Sequence, residues 1–190
     1  MFNFILFGPP GSGKGTQSVK IAGKYNLAHI STGDIFRKNI REKTPLGMKV
    51  QGIIEKGELV PDELLVEILA DAMDGFRDVD GFVFDGFPRT IQQAKDLNRL
   101  LDERNEEVSL VLALEVNDNE IIQRLLKRAQ TEGRKDDTKD VIENRIKIYN
   151  DQTQPLIDFY KKEGKFTAVN GIGSIDEIFN SICNKIDREI

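Results

Sequence analysis

The fold is decided by the stretch Gly8-Pro9-Pro10-Gly11-Ser12-Gly13-Lys14-Gly15-Thr16, which contains the pattern G-x-x-x-x-G-K. It follows an apolar run at Phe2–Phe7 and opens a helical pattern at Lys14–Tyr25. Small residues let successive backbone N–H groups face one concavity, the helix N-terminus adds its dipole, and Lys14 supplies a mobile positive charge. The stretch therefore predicts a phosphate-binding loop (P-loop) for a nucleoside triphosphate. A glycine-rich turn without a ligand is the weaker alternative.

The position after Lys14 departs from the general pattern, because Gly15 stands where Ser or Thr usually follows and Thr16 comes one residue later. A side chain of the loop is therefore not expected to hold Mg²⁺ in the usual way. Asp85 follows the apolar pair Val83-Phe84 at the end of a predicted strand, where a Walker B carboxylate stands. We expect Asp85 to hold Mg²⁺ through water.

Strand and helix patterns alternate along the 190 residues. Such alternation indicates parallel βαβ units, so the predicted fold class is α/β, a three-layer α/β/α P-loop fold with a five-stranded parallel sheet. The predicted strands are Phe2–Phe7, Leu27–Ile30, Gly81–Phe84, Val108–Val116 and Phe166–Val169. The predicted helices are Lys14–Tyr25, Gly33–Arg41, Leu46–Lys56, Asp62–Met73, Ile91–Arg104, Asn119–Lys127, Val141–Lys162 and Ser174–Ile186.

Two segments interrupt this alternation. Residues 31–60 hold two short helical patterns without a strand between them, and Lys127–Asp137 is a polar stretch. Ligands of open α/β sheets bind at the carboxyl ends of the strands, where such excursions leave the sheet. We expect a single domain with its core at 1–30, 61–126 and 138–190, and with excursions at 31–60 and 127–137.

The composition disfavours several other classes of site. Cys183 and His29 are the only cysteine and histidine, so neither a disulfide framework nor a Cys-based or His-rich zinc site can be built. His29 lies in an apolar run and is expected to be an ordinary strand residue. The net charge of −5 argues against a nucleic-acid binder. Met1–Phe7 is too short for a membrane span and lacks the basic region of a signal peptide, so we expect a soluble, cytoplasmic protein.

Residues that follow the second and third predicted strands form a candidate second phosphate site. Thr32 offers a hydroxyl for a base or sugar edge, and Arg37 on the next helix could reach a phosphate. A helix N-cap and a solvated helix face are their ordinary alternatives. Arg89 lies just past the third strand, in the ligand crevice or in a plain surface loop. The link Lys56–Asp62 is either a simple turn with Pro61 at a helix start or a contact for a purine ring.

Four arginines fall within 22 positions, namely Arg124, Arg128, Arg134 and Arg145. The first two share a helix face, and Gly133 allows a tight turn after them. Asp136 and Asp137 can pair with these arginines when no ligand is bound. A salt-bridged surface helix is the alternative, above all for Arg124. Arginine forks suit phosphates, and phosphoryl transfer needs positioning and charge stabilisation, so the cluster predicts a transfer site under a mobile, water-excluding flap.

Five strings in this order and spacing resemble the adenylate kinase family over essentially the whole chain: GPPGSGKGT, ISTGDIFR, KGELVPDELL, FDGFPRT and LLKRAQTEGRKDD. The stretch between Arg128 and Asp137 resembles the family's short-lid form, which carries no zinc. The resemblance implies reversible transfer of the terminal phosphoryl group of ATP to AMP, giving two ADP, with Mg²⁺ and usually as a monomer. It makes 31–60 the NMP-binding excursion and 127–137 the lid.

The resemblance also implies a role for each matching residue. The groups expected to act in catalysis are Lys14, Arg89, Arg128, Arg134 and Arg145. Those expected to bind ATP are Gly11, Ser12, Gly13, Lys14, Gly15, Thr16, Arg128 and Gly173. Those expected to bind AMP are Thr32, Arg37, Glu58, Leu59, Val60, Gly86, Phe87, Pro88, Arg89, Gln93, Arg134 and Arg145.

Three alternative functions stay open. A UMP/CMP kinase of the same fold typically has Ala at the position of Thr32 and Asn at that of Gln93, so both residues favour AMP. A GTPase is suggested by Asn184-Lys185-Ile186-Asp187, which matches a guanine-reading N-K-x-D string but lies in a helical pattern rather than after a strand. A nucleotide-binding regulator without catalysis would need fewer convergent charges than these arginines supply.

Overall fold

The computed structural model describes residues 1–132, 134 and 137–190. The five strands of these residues form one parallel sheet in the order β2-β3-β1-β4-β5, which confirms the predicted five-stranded α/β fold. They are β1 (Phe2–Phe7), β2 (Leu27–Ser31), β3 (Gly81–Asp85), β4 (Val108–Glu115) and β5 (Phe166–Asn170). Because β2 and β3 lie on one side of β1 and β4 and β5 on the other, the strand order changes direction at β1, where open sheets bind ligands.

Helices cover both faces of the sheet. They are α1 (Lys14–Tyr25), α2 (Thr32–Arg41), α3 (Pro45–Glu55), α4 (Asp62–Asp74), α5 (Ile91–Asp102), α6 (Asp118–Glu132), α7 (Lys139–Ile148), α8 (Pro155–Lys162) and α9 (Ile175–Ile186). Alternate side chains of β1 point to opposite faces, so Ile5 and Phe7 pack with α4, α5 and α8, whereas Phe4 and Leu6 pack with α1 and α9. This is the predicted three-layer arrangement. Within the described ranges, every helix is too short or too polar to cross a membrane.

The prediction of one continuous helix over Val141–Lys162 is wrong. The structure divides this stretch into α7, a π-helical turn at Tyr149–Thr153, and α8. Pro155, the first residue of α8, has no N–H with which to continue the ladder of a regular helix. The amide of Gln154 instead bonds to the carbonyl oxygen of Tyr149, five residues back, at 2.8 Å.

The two excursions follow the prediction in part. Residues 31–60 hold α2 and α3 with no strand between them, as expected. Helix α6 runs to Glu132, beyond its predicted end at Lys127, so the first part of the segment 127–137 is helical. The turn predicted at Gly133 and the pairing predicted for Asp136 lie outside the described residues.

The start of α2 corrects the N-cap interpretation of Thr32. The cap is Ser31, whose Oγ accepts a hydrogen bond from the amide of Asp34 at 3.3 Å. Thr32 is the first residue of the helix itself, so its hydroxyl is not used for capping.

Candidate active site

The carboxyl ends of β1, β2 and β3 open into a cavity of about 640 Å³. This main cavity has the size of a small-molecule site. It brings together most of the residues predicted from the sequence. The predicted residues that line it are Gly11, Gly13, Lys14, Gly15, Thr16, Thr32, Arg37, Glu58, Leu59, Val60, Asp85, Gly86, Pro88, Arg89, Gln93, Arg128, Arg134 and Arg145.

Three predicted residues lie outside the main cavity. Ser12 and Gly173 line a second cavity of about 420 Å³, and the second cavity shares Gly13, Thr16 and Arg124 with the first. The two cavities therefore meet at the phosphate loop. Phe87 lines neither, because its side chain is 2% exposed and packs in the core between the sheet and its helices.

The phosphate loop takes a backbone path that requires glycine. Gly11 and Gly13 have φ of 82° and 96°, and a Cβ at Gly11 would lie 2.8 Å from Cγ of Leu125. The Nζ of Lys14 donates to the carbonyl oxygens of Gly8 at 2.7 Å and Pro9 at 2.9 Å. The ammonium group is thus held at the loop, where phosphate oxygens can replace these two carbonyls.

The charge of Lys14 is strongly influenced by its surroundings. Burial lowers the pKa of this ammonium group to about 8, against the opposing effect of the Asp85 carboxylate, and the positive charges of Arg89 and Arg128 lower it further. These four charged groups are therefore close enough to act on one another. An anion placed among them would favour the charged form of Lys14.

The residues that follow β3 are held by hydrogen bonds to two backbone groups, the carbonyl of Gly86 and the amide of Arg89. The carbonyl oxygen of Gly86 accepts from Oγ1 of Thr32 at 3.1 Å and from Nε of Arg89 at 2.7 Å. The amide of Arg89 donates to Oε1 of Gln93 at 2.7 Å, and Nε2 of Gln93 donates to Oδ1 of Asp62 at 2.7 Å. Four residues predicted to bind AMP, namely Thr32, Gly86, Arg89 and Gln93, are thus joined in one corner of the cavity.

Three arginines of the main cavity lie close enough for two of them to act on the charge of the third. Withdrawal from bulk water lowers the pKa of the Arg89 guanidinium, and the charges of Arg145 and Arg37 lower it further while Asp85 opposes them. Arg37 also pairs with Asp34 on its own helix. The interpretation of Arg37 as a solvated helix face is therefore incomplete, because its positive charge faces the same cavity as that of Arg89.

Asp137 pairs with Arg145 and with one further arginine, Arg128, as predicted. Its carboxylate is fully buried and accepts from Nε of Arg128 at 2.7 Å, from Nη2 of Arg128 at 2.8 Å and from Nη1 of Arg145 at 3.0 Å. The bidentate geometry on Arg128 is the one that a phosphate would also use. Asp137 therefore occupies the place of an anion between helices α6 and α7.

Asp85 offers a carboxylate at the end of β3, next to the phosphate loop. Its Oδ2 lies 3.6 Å from Nε2 of His29, and a Cβ at Gly15 would lie 3.6 Å from the same oxygen. Glycine at position 15 thus leaves the space between loop and carboxylate open, which fits a hydrated Mg²⁺. Among the residues that the structure describes, no group of three or more His, Cys, Asp or Glu side chains could hold a metal ion. A cation here would need oxygen ligands from water and phosphate.

Arg124 makes contacts beyond those expected of a residue on a salt-bridged surface helix. It pairs with Glu120, one helical turn earlier, at 2.7 Å as that alternative predicts. Its terminal nitrogens also donate to the carbonyl oxygens of Ser12 at 3.2 Å and Gly171 at 3.1 Å, and it lines both cavities. It therefore ties α6 to the phosphate loop.

Sequence reasoning missed the π-helical turn as a part of the site. Tyr149 and Thr153 line the main cavity, as does Ile148 just before the turn. The signal was present in Pro155, whose missing N–H marks a break inside the pattern that was interpreted as one helix. The N-K-x-D string, by contrast, lies at the end of α9 and lines neither cavity, so the helical interpretation of that string is confirmed.

Comparison with known proteins gives the same picture over the whole chain. A sequence profile described as adenylate kinase matches residues 6–165. An adenylate kinase of Bacteroides thetaiotaomicron is 50% identical over 188 residues, which are 99% of this chain and 100% of the relative. Similar proteins of the same name occur in Parabacteroides distasonis (50% over 188 residues; 99% of each chain) and Flavobacterium psychrophilum (47% over 189 residues; 99% of this chain, 100% of the relative). With its phosphate loop and arginine-lined cavity, the chain therefore belongs to the adenylate kinase family.

Proposed function

We propose that the chain transfers the terminal phosphoryl group of ATP reversibly to AMP, giving two ADP, by positioning and charge stabilisation. One observation carries the proposal: the Lys14 ammonium group and the guanidinium groups of Arg89, Arg128 and Arg145 converge on a single cavity. Binding one nucleotide would need fewer positive charges. Two nucleotides whose phosphates face each other, with the transferring phosphoryl group between them, need all four positive charges.

The proposed reaction requires little proton transfer. An oxygen of the AMP phosphate attacks the γ-phosphorus, while the bond from that phosphorus to the bridging oxygen of ATP breaks and ADP leaves. Lys14 would stabilise the transferring group from the loop side. Arg89 would orient the AMP phosphate, and Arg128 and Arg145 would exchange Asp137 for phosphate oxygens. Asp85 would hold Mg²⁺ through water, and the ion would neutralise charge on the phosphates.

The two excursions suit the exclusion of water, which would otherwise hydrolyse ATP. We propose that 31–60 binds AMP and that 127–137 closes over ATP as a short lid. The second cavity, with Ser12, Gly173 and Arg124 on its walls, would take the base of ATP. We further propose a cytoplasmic monomer. Size-exclusion chromatography with light scattering tests the oligomeric state.

Turnover with different acceptors tests the proposed reaction. We expect kcat/KM with AMP to exceed that with UMP or CMP by at least about a hundredfold, since a site that hydrogen-bonds one base rejects others strongly. A coupled assay of ADP formation measures all three, with and without Mg²⁺. Preference for UMP or CMP would identify a different acceptor class. Tight ATP binding without ADP formation would identify a regulator, and selective GTP binding a GTPase.

The lowered pKa of Lys14 predicts proton uptake on binding ATP. Well below pH 8 the ammonium group of the nucleotide-free protein is already charged, so binding takes up almost no proton there. Above pH 8 it is increasingly neutral, and the bound phosphates restore its charge, so binding at pH 9 takes up close to one proton. Affinity for ATP then falls as the pH rises through about 8. Calorimetry in buffers of different ionisation enthalpy measures the uptake.

Two variants show whether this proton belongs to Lys14. Lys14→Arg keeps the charge at every pH and should abolish the uptake. Lys20→Arg, at a partly exposed position of α1 outside both cavities, should leave it unchanged. Equal proton uptake by the Lys14→Arg variant would contradict the assignment.

A further inference from the structure

The π-helical turn places one hydroxyl where a regular helix would not. A threonine in a helix usually donates to the carbonyl four residues back in its own helix. Thr153 instead donates from Oγ1 to the carbonyl oxygen of Arg89 at 3.0 Å, 64 positions away along the chain. The side chain is buried, with the residue 7% exposed, and it forms part of the cavity wall. Turns of this kind are frequent at functional sites.

The backbone of Arg89 is therefore held on both sides by side chains from different elements. Its amide donates to Oε1 of Gln93 on α5, and its carbonyl oxygen accepts from Thr153 on the π-helical turn. The Nε of Arg89 is fixed as well, by the carbonyl oxygen of Gly86. With these three groups fixed, the remaining donors of the guanidinium are its two terminal nitrogens.

The same turn also continues the helix that carries Arg145. Arg145 lies on α7, which runs directly into Tyr149–Thr153, so Thr153 joins the backbone of Arg89 to the element that presents Arg145. Both guanidinium groups line the main cavity, and the positive charge of Arg145 contributes to lowering the pKa of Arg89.

We propose that Thr153 is a positioning residue for Arg89, and that its hydroxyl sets the distance and angle at which Arg89 meets the acceptor phosphate. The inference rests on the proposed function, because it takes Arg89 to bind AMP. It extends that function by assigning a role to the π-helical turn. Thr153 itself needs no contact with the nucleotide.

The Thr153→Val substitution tests this role, since it keeps the shape of the side chain and removes only the hydroxyl. We expect AMP affinity to fall about tenfold and kcat to fall with it, while KM for ATP stays unchanged. Thr153→Ser restores the hydroxyl and should restore both values. Thr167→Val, on half-buried β5 and outside both cavities, is the matched control. Calorimetry with AMP and steady-state kinetics provide the readouts.

A double-mutant cycle separates positioning from simple packing. In an Arg89→Ala background, removal of the Thr153 hydroxyl should have no further effect on AMP affinity, because its action passes through Arg89. If the valine variant does not fold, Thr153→Ala removes the same hydroxyl and takes its place. Wild-type AMP affinity in the valine or alanine variant would overturn the inference, as would failure of serine to restore it. A wild-type protein that binds no AMP would overturn the proposed function itself.

Discussion

We expect Arg89→Ala to lower kcat by about a thousandfold while the affinity for ATP stays almost unchanged. Arg89 is fixed at the exit of β3 by Gly86, Gln93 and Thr153, so its guanidinium loses little freedom when it meets a phosphate. A fixed donor of this kind acts most strongly on the charge that develops during transfer. The phosphate loop keeps its own contacts in this variant, so ATP should bind almost as before.

Steady-state kinetics with varied AMP, together with calorimetry for ATP, separate these two effects. Arg99→Ala is the matched control, since Arg99 is 68% exposed on α5 and its ion pair with Asp96, one helical turn earlier at 2.9 Å, is of the exposed kind that contributes little. Arg128→Ala should follow the Arg89 variant in lowering turnover more than ATP affinity. Unchanged turnover in both cavity variants would count decisively against the transfer mechanism.

The second large effect concerns stability and comes from Asp137. We expect Asp137→Asn to lower the free energy of unfolding of the nucleotide-free protein by about 2–3 kcal/mol. The substitution keeps the shape of the side chain but leaves Arg128 and Arg145 without the carboxylate between them. The side chains of Arg128 and Arg145 are 25% and 17% exposed, so water compensates for part of the loss.

Nucleotides should remove most of this defect. If phosphate oxygens take the place of the Asp137 carboxylate, the variant saturated with AMP and a non-hydrolysable ATP analogue should be destabilised by less than about 1 kcal/mol. Urea unfolding with and without the nucleotides measures the difference. Asp140→Asn, an exposed change three residues further on, is the control. An equal loss of stability in the free and bound proteins would show that the carboxylate and the phosphates do not compete.

The elements that hold the phosphate loop could be predicted because their sequence patterns are local. Strands such as Phe2–Phe7 are apolar runs, continuous here apart from Asn3, as expected for strands buried on both faces, and the glycines of the loop follow directly. Thr32, Arg37 and Arg89 could be predicted as candidate cavity residues because each lies shortly after a strand end, whereas Gln93 was implied by the family resemblance. Parallel strands bring those ends to one edge of the sheet.

What escaped prediction depends on contacts between distant parts of the chain. The break between α7 and α8 is an exception, because its signal is local: Pro155 marks it, but the spacing of apolar residues alone did not separate the two helices. Arg124 looked like a surface residue because its partner Glu120 is local, whereas its contacts with Ser12 and Gly171 come only with the folded sheet. Phe87 matched a binding motif, yet its aromatic side chain packs in the core.

The position of β1 in the middle of the sheet also affects how the chain is made. Both partners of this strand come later in the sequence, as β3 and β4, and the second of them ends at Glu115. At ordinary rates of protein synthesis, roughly 5–20 s pass between the appearance of β1 and that of its last partner. Until β3 is made both edges of this apolar strand are open, and until β4 is made one of them stays open. The strand order that creates the nucleotide cavity thus also leaves an apolar strand edge exposed during synthesis, which is the condition that favours aggregation of a nascent chain.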